Sequence, residues 1–263
     1  MRSIGPRDCW STLPSADPVK ATPFNAEENQ MGTNELALAQ GLKDTGETIA
    51  GWRSERWRVV GSWTVLSAAI AVGLLLAVYA VGRLSTPDET SLVVIGINRA
   101  PSLEMVGAIL FRNSLVLALH ALACVAGFIA GSALPLQAAS KTGLWRTIHD
   151  RAGPLAILFV VCATGFSLLT QAYFLGSQAA TIAAQLGLGL APFLAVIATH
   201  AIPELTVLFL PLAAWIIASR RGDWHKLLAA TFVTVGIAAP VLILTALQEV
   251  YVTPRLLGLL ISP

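Results

Sequence analysis

The sequence VVGSWTVLSAAIAVGLLLAVYAV, residues 59–81, contains no charged side chain and is long enough to cross a lipid bilayer as one helix. A spanning helix needs about 20 predominantly apolar residues. Three similar stretches follow, and the first of them is expected to continue a helix that starts near Ser102. These stretches run from Asn113 to about Leu134, from Pro154 to about Leu175, and from Leu227 to about Leu247.

The composition supports the same interpretation. Of the 263 residues, 55% are hydrophobic and 12% are charged, and the mean hydropathy is +0.70. Such values are typical of polytopic membrane proteins and exclude an ordinary soluble domain. The net charge of +2 is too small to indicate nucleic-acid binding. We therefore predict an all-α, membrane-spanning helical bundle.

The block between Leu175 and Arg220 is too long for a single straight span, because a helix rises about 1.5 Å per residue across a core about 30 Å thick. Counting back about 20 residues from Arg220 places the start of a fourth span near Pro203, and gives five spans in all. Residues 176–198 are then predicted to form a separate outer hairpin or re-entrant segment, interrupted by Gly187, Gly189 and Pro192. The alternative is one long, tilted and kinked helix.

Basic residues predict the orientation of the bundle, because cytoplasmic loops are enriched in Lys and Arg. They precede the first span, separate the second from the third, and precede the last. The loops on the opposite side carry fewer basic residues. We expect a multi-pass membrane protein with its N-terminus in the cytoplasm and its C-terminus outside. The basic residues of the cytoplasmic side are Arg53, Arg56, Arg58, Lys141, Arg146, Arg151, Arg220, Arg221 and Lys226.

The N-terminal region is polar and rich in proline. Residues 1–52 are predicted to form a largely disordered cytoplasmic tail, and residues 53–263 the transmembrane domain. A short amphipathic helix is expected between Glu35 and Arg58, with Trp52 and Trp57 at the membrane interface. An ordinary solvated lead-in to the first span remains the alternative.

Two ionisable residues, His200 and Glu204, lie in a stretch from Ala179 to Ser219 that otherwise lacks charge. A carboxylate in so apolar a segment is costly unless it is paired or faces a polar cavity. With a span starting near Pro203, Glu204 would lie in the first helical turn, where the helix dipole favours a negative charge.

Other polar residues are expected at the same outer side of the bundle. Arg112 and Asn113 would begin the second span, with His120 on the same face about two turns deeper, and Glu249 would end the last span. Arg112 could pair with Glu204 or Glu249, and the partner of Glu204 is expected among Arg112, Asn113 and His200. Alternatively, these residues simply contact water and lipid headgroups.

The polar residues do not form a known catalytic pattern. A zinc protease would show His-Glu-x-x-His, and a nucleotide-binding loop would show Gly-x-x-x-x-Gly-Lys-Ser/Thr; the sequence contains neither. The three cysteines have no metal-binding or disulfide spacing. We therefore predict no catalytic residue, metal or cofactor. A transporter that uses His120, Glu204 and Glu249 to relay protons or bind a cation is a competing hypothesis.

Three short segments resemble the stage II sporulation protein M family of integral membrane proteins. They are Ile-Leu-Phe-Arg-Asn at 109–113, His-Ala-Ile-Pro-Glu-Leu at 200–205 and Glu-Val-Tyr-Val-Thr-Pro at 249–254, and they occur in the family's order. Ala201 stands where that family usually has glycine. The resemblance adds Pro203, Leu205, Thr253 and Pro254 to the candidate functional residues.

The resemblance implies a non-enzymatic scaffold or subunit of a membrane assembly that acts through partner proteins in the bacterial cytoplasmic membrane. The expected partners are membrane lipid, other membrane or wall-associated proteins, an ABC-type ATPase and a second copy of the chain. The alternative is a small transporter or export component with a separate ATPase, acting for example in peptide or bacteriocin maturation, export or self-protection.

Overall fold

The computed structural model describes residues 43–88, 92–133 and 143–261, and the described chain is almost entirely helical. Within these ranges the only β-type pairing is a single bridge between Ile95 and Arg99. The predicted all-α bundle is thus confirmed. The helices are α1 (43–52), α2 (Arg56–Leu84), α3 (Leu103–Phe128), α4 (Gly143–Gln185), α5 (Leu190–Leu208), α6 (Leu210–Arg221), α7 (Leu227–Leu247) and α8 (Thr253–Ile261).

Five helical segments are long and apolar enough to cross a membrane, as predicted. The first, second, third and fifth segments are longer than the predicted spans, the fifth by the most, because the helix extends further at one end or both. The segments are Trp57–Leu84, Leu103–Gly131, Ile157–Gln185, Leu190–Leu208 and Trp224–Ile261. By length and composition, the chain is a membrane protein with five candidate spans.

The region before the first span is partly helical. Helix α1 ends at Trp52, and a turn at residues 53–55 separates it from α2, so one helix continuing to Arg58 is wrong. The indole of Trp52 packs edge-on against Trp63 of α2, with 5.3 Å between ring centroids. Trp57 is 81% exposed at the start of the first span. The rest of the predicted tail, residues 1–42, lies outside the described residues.

Helix α3 begins as expected, since Ser102 caps it. The Ser102 hydroxyl accepts a hydrogen bond from the Met105 amide at 3.3 Å, which satisfies one of the free N–H groups of the first turn. The apolar span starts at Leu103. Arg112 and Asn113 therefore lie in the third turn of the span, and the prediction that they begin it is wrong.

The predicted outer hairpin at residues 176–198 is wrong. Residues 176–185 complete α4, and residues 190–198 begin α5. Gly187 ends α4 with φ +67, a left-handed conformation that glycine adopts without strain. The amides of Gly187 and Leu188 close the helix by bonding to the carbonyls of Ala184 and Ala183, at 3.0 and 2.8 Å.

Because α5 starts at Leu190, the fourth span begins 13 residues before the predicted Pro203. Pro203 and Glu204 lie inside the helix, so the expected stabilisation of Glu204 by a helix N-terminus is wrong. The helix breaks at Phe209, and α6 follows with a proline, Pro211, in its first turn. The alternative of one long kinked helix thus describes residues 190–221 but not residues 176–189.

The last span does not end at Leu247. It continues through a π-helical turn, Gln248–Val252, into α8. Pro254 is compatible with this continuation because it stands in the first turn of α8. Glu249 consequently lies within a helix that runs on to Ile261, not at its end.

The helices pack in two groups. Helix α2 packs chiefly against α4 and α5, whereas α3 packs chiefly against α7 and α6; α5 also contacts α7. The α2–α4 contact is close, since a Cβ atom on Gly176 would lie 2.8 Å from the carbonyl oxygen of Val78. Small residues allow such close approach between membrane helices.

The two ends of the bundle differ in the elements that they contain. The basic end holds α1, the end of α6 at Arg221 and the turn with Lys226, and a small cavity there is lined by residues of all three. The loop end holds residues 92–99, the turn at 186–189 and α8. Hydrogen bonds from the Asp88 and Leu92 amides to Thr181 and Gln185 join the loop to the end of α4, and Gly96 of the loop packs on Pro254 of α8.

Candidate functional site

A cavity of about 680 Å³ lies at the loop end, between the two groups of helices. Its walls come from α2, α3, α4, α5, α8, the π-helical turn and residues 93–95 of the loop. Most of the lining is apolar, with Phe174, Phe193 and Phe209 among the side chains. The polar and charged lining residues are Arg112, Asn113, Thr170, Gln171, Gln178, His200, Glu204, Glu249 and Thr253.

Glu204 is joined to Asn113 across the bundle. The Asn113 Nδ2 donates a hydrogen bond to the Glu204 Oε1 at 2.9 Å, and both residues are buried, with 4% and 8% of their surfaces exposed. A bond between α3 and α5 therefore fixes the carboxyl group in the wall of the cavity. Among the three partners predicted for Glu204, Asn113 is the one that the structure places in contact.

The predicted ion pairs of Arg112 do not form. Within the described residues, no pair shorter than 4 Å joins Arg112 to Glu204 or Glu249. Arg112 is exposed, whereas Glu204 is buried, so the two charges lie at different depths although both line the cavity. The second carboxylate oxygen of Glu204, Oε2, is buried and has no hydrogen-bond partner in the described structure.

A second hydrogen bond connects α5 with α8. The Nδ1 of His200 and the hydroxyl of Thr253 are 2.9 Å apart, and both residues are buried. Glu249, Pro254 and Leu205 line the same cavity. The π-helical turn brings Glu249 and Thr253 to this wall, as such turns frequently do at functional sites. The predicted motif residues of α5 and α8 are thus neighbours, except Pro203, which is in α5 but not in the lining.

His120 does not belong to the cavity. Its ring packs edge-on against Phe209, with 5.4 Å between centroids, and its Nδ1 has no hydrogen-bond partner among the described residues. It shares the buried face of α3 with Asn113, as predicted, but lies two turns further from the loop end. The structure therefore separates His120 from the other candidate residues.

The alternative that these polar residues only touch water and headgroups fails for four of them. Asn113, His120, His200 and Glu204 are each less than 10% exposed, and all but His120 line the cavity. Arg112 is exposed and Glu249 is half-buried, so these two lie closer to the surface. The site thus has a buried polar floor and charged residues nearer its mouth.

The loop at residues 92–99 covers part of the cavity. It is held to α4 because the Leu92 amide donates to the Gln185 Oε1 at 2.9 Å, and it is closed internally by Asn98, whose side chain accepts from the Val94 amide at 2.7 Å. Gly96 has φ +79 and packs directly on the ring of Pro254. A side chain at Gly96 would meet both a strained backbone and Pro254.

Sequence reasoning missed the contribution of α4. Thr170, Gln171 and Gln178 line the cavity, but the predicted third span ended at Leu175 and the residues beyond it were assigned to another segment. A signal was present, since Gln171 and Gln178 are seven residues apart in an apolar stretch and therefore share one helix face.

Comparison with known proteins does not assign the chain to a family. No protein family, curated protein or solved structure matches the chain. Within the described residues, no group of three or more His, Cys, Asp or Glu side chains is placed to hold a metal ion. The arrangement is that of a cavity with mixed polar and apolar walls inside a bundle of membrane-type helices.

Proposed function

We propose that the chain is a non-enzymatic membrane subunit that acts through partner proteins, in the bacterial cytoplasmic membrane. The observation that carries this proposal is the length of α4. The helix has 43 residues, which corresponds to about 65 Å, whereas the apolar core of a bilayer is about 30 Å thick. The last charged residue before its apolar stretch is Arg151. Residues 143–151 therefore continue the helix beyond the apolar stretch at the basic end.

This extension has the composition of a docking element. Residues 143–151, GLWRTIHDR, carry four ionisable side chains, Arg146, His149, Asp150 and Arg151. The span that follows is apolar and outward-facing, with Phe159 72% and Phe166 73% exposed. A helix that is anchored by an apolar span and extends in polar form can present a surface to another protein outside the bilayer.

Site-specific photo-crosslinking tests the proposal. A photoreactive phenylalanine analogue at Trp145, in the extension, is expected to yield discrete protein adducts in intact cells. The same analogue at Phe166, which faces away from the bundle within the span, is the matched control and is expected to yield lipid adducts only. Absence of protein adducts at Trp145 would contradict a partner-dependent role for α4.

A distant relationship to the stage II sporulation protein M family is part of the proposal. It is supported by the three ordered sequence segments and by the positions of their residues. Asn113 of the first segment bonds to Glu204 of the second, and His200 of the second contacts Thr253 of the third. Three segments far apart in sequence thus meet around one cavity, which is a reason for them to occur together.

The proposed orientation places the basic end in the cytoplasm. It is supported by Arg53, Arg58, Arg220, Arg221 and Lys226 at that end. In a variant with all three native cysteines replaced, a cysteine at Arg99 is expected to react with an impermeant maleimide added outside the cell. A cysteine at Ser54 is expected to react only after the membrane is permeabilised. The reverse pattern would overturn the orientation.

A small transporter or export component is the second candidate, and the cavity favours it. Carboxylates that line a cavity within membrane-spanning helices often mark an ion or substrate path, and Glu204 and Glu249 occupy such positions. Proteoliposomes containing a pH-sensitive dye test it. If the candidate is right, the wild-type chain dissipates a proton gradient and Glu204→Gln does not. Equal dissipation by wild type, variant and empty liposomes would reject it.

A further inference from the structure

The cavity contains a hydrogen-bond acceptor that the chain does not use. The Oε1 of Glu204 accepts from Asn113, whereas the Oε2 is buried and accepts no hydrogen bond in the described structure, because the nearby Thr245 hydroxyl donates to the Leu242 carbonyl at 3.2 Å. A buried carboxylate oxygen without a donor is unfavourable, and a charged donor forms a stronger bond with it than a neutral one. The position therefore suits an N–H group supplied by a ligand.

The charges of the lining indicate the sign of that ligand. The lining contains two carboxyl groups, Glu204 and Glu249, and one guanidinium, Arg112, so it carries a net negative charge when both carboxyl groups are ionised and His200 is neutral. Arg112 is exposed and forms no ion pair with either carboxylate. The interior part of the cavity is thus more negative than its mouth, which favours a ligand with one positive charge.

The remaining walls indicate an apolar body. Phe193 and Phe209 are almost fully buried, and Phe174 contributes a third aromatic ring to the lining. The volume of about 680 Å³ is much larger than an ammonium group and falls in the usual range for sites of small organic ligands. A simple hydrated cation would leave most of this apolar surface without a contact.

We propose that the loop-end cavity binds a primary ammonium group carried on an apolar body, with Glu204 and Glu249 as its counter-ions. The free oxygen of Glu204 requires an N–H donor, which a quaternary ammonium lacks, and a primary ammonium has three such donors to share between Glu204 and Glu249. The ammonium can come from a phosphatidylethanolamine headgroup of the bilayer or from a soluble amine. This inference goes beyond the proposed function, because the partner-binding extension of α4 lies at the opposite end of the bundle.

Calorimetric titration of the full chain in phosphatidylcholine nanodiscs tests the proposal, because that lipid contains no primary ammonium. The probes are phenethylammonium and its N,N,N-trimethyl analogue, which have the same charge and aromatic body. The primary ammonium is expected to bind at least about tenfold more tightly, as loss of one charged hydrogen bond requires. Equal affinities, or no binding of phenethylammonium to the wild-type chain, would overturn the proposal.

Matched variants locate the site. Glu204→Gln and Glu249→Gln are each expected to weaken phenethylammonium binding about tenfold. Glu104→Gln is the control, because Glu104 is an exposed carboxylate in the first turn of α3 outside the cavity lining, and it should leave the affinity unchanged. Glu249 is half-buried, so its replacement tests the idea even if Glu204→Gln fails to fold. Wild-type affinity in a folded Glu249→Gln variant would contradict the assignment.

Lipid composition then distinguishes the two sources of the ammonium group. If phosphatidylethanolamine is the ligand, adding it to the nanodiscs raises the apparent Kd of phenethylammonium by competition. If the ligand is a soluble amine, the Kd is unchanged. Both results support recognition of a primary ammonium, and neither depends on the crosslinking at Trp145 that tests the proposed function.

Discussion

The two ends of the bundle are packed in different ways. At the basic end, small residues meet large rings: a Cβ atom on Gly127 would lie 2.7 Å from the Nε1 of Trp215, and Ala213 is fully buried. The cavity that remains there is about 200 Å³, whereas the one at the loop end is about 680 Å³. The loop end also contains the buried polar contacts between Asn113 and Glu204 and between His200 and Thr253.

The difference shows that helices of similar apolar composition can form a closely packed core at one end and a cavity at the other. Close packing of small and large side chains is the main source of stability between membrane helices, because lipid leaves little hydrophobic drive for their association. At the loop end the helices are packed less closely, and hydrogen bonds between side chains join them around the cavity. Stability and ligand capacity are therefore expected to respond differently to the same kind of substitution at the two ends.

The largest effect should come from adding volume at the basic end. Ala213→Leu forces a larger side chain into a fully packed site and is expected to lower the free energy of unfolding by about 3 kcal/mol. Ala201→Leu, at a residue that lines the loop-end cavity, should change the free energy of unfolding by about 0.5 kcal/mol or less, because the cavity has room for the larger side chain. Unfolding in sodium dodecyl sulfate measures both. Equal losses would show that the two ends are packed alike.

Asn113→Ala should have the next largest effect. It leaves the Glu204 carboxyl without its hydrogen bond and is expected to cost about 2 kcal/mol of unfolding free energy, measured in the same way. Gln178→Ala is the control, because Gln178 lines the cavity but forms no hydrogen bond with the described residues. A loss as large in the control would mean that cavity-lining polar residues act through packing alone.

A smaller, diagnostic effect is the coupling between residues. A double-mutant cycle of Asn113→Ala with Glu204→Ala should give a coupling energy of about 1 kcal/mol, since the two side chains share a hydrogen bond. A cycle of Arg112→Ala with Glu204→Ala should be additive within about 0.5 kcal/mol, since no ion pair joins them. Strong coupling in the second cycle would indicate that Arg112 and Glu204 do form the ion pair expected from the sequence.

The smallest effect is expected at the rim of the loop end. The Gln248 Nε2 donates to the Thr199 hydroxyl at 3.1 Å, but this bond is exposed to solvent. Gln248→Ala should therefore reduce the free energy of unfolding by about 0.5 kcal/mol or less. A larger loss would show that the bond between Gln248 and Thr199 behaves as a buried hydrogen bond and not as a solvent-exposed one.

Hydropathy and charge were sufficient to predict the helical fold, the five spans and the start of α3 at Ser102. They were insufficient for the fourth span, because counting about 20 residues back from Arg220 assumes one unbroken helix. The break at Phe209 divides that stretch, so the span starts at Leu190 instead of near Pro203. Sequence offers no direct measure of where a helix will bend.

The sequence identified most residues of the candidate site but not their contacts. The rarity of charge around His200 and Glu204 marks them in the sequence, but their contacts depend on tertiary structure. Asn113 is 91 residues from Glu204, and Thr253 is 53 residues from His200. Charge complementarity favoured Arg112 as the partner of Glu204, whereas burial favoured the neutral amide of the next residue.

The order in which the helices pack has a consequence for synthesis of the protein. Helix α2 packs chiefly against α4 and α5, which the ribosome makes much later, while α3, the next helix in the chain, packs against α6 and α7. About 100 residues separate Leu84 from Gln185, so translation at about 5–20 residues per second delays these contacts by on the order of ten seconds. During that time the surface of α2 around Val78, which Gly176 later covers, must remain in contact with lipid, the insertion machinery or a chaperone.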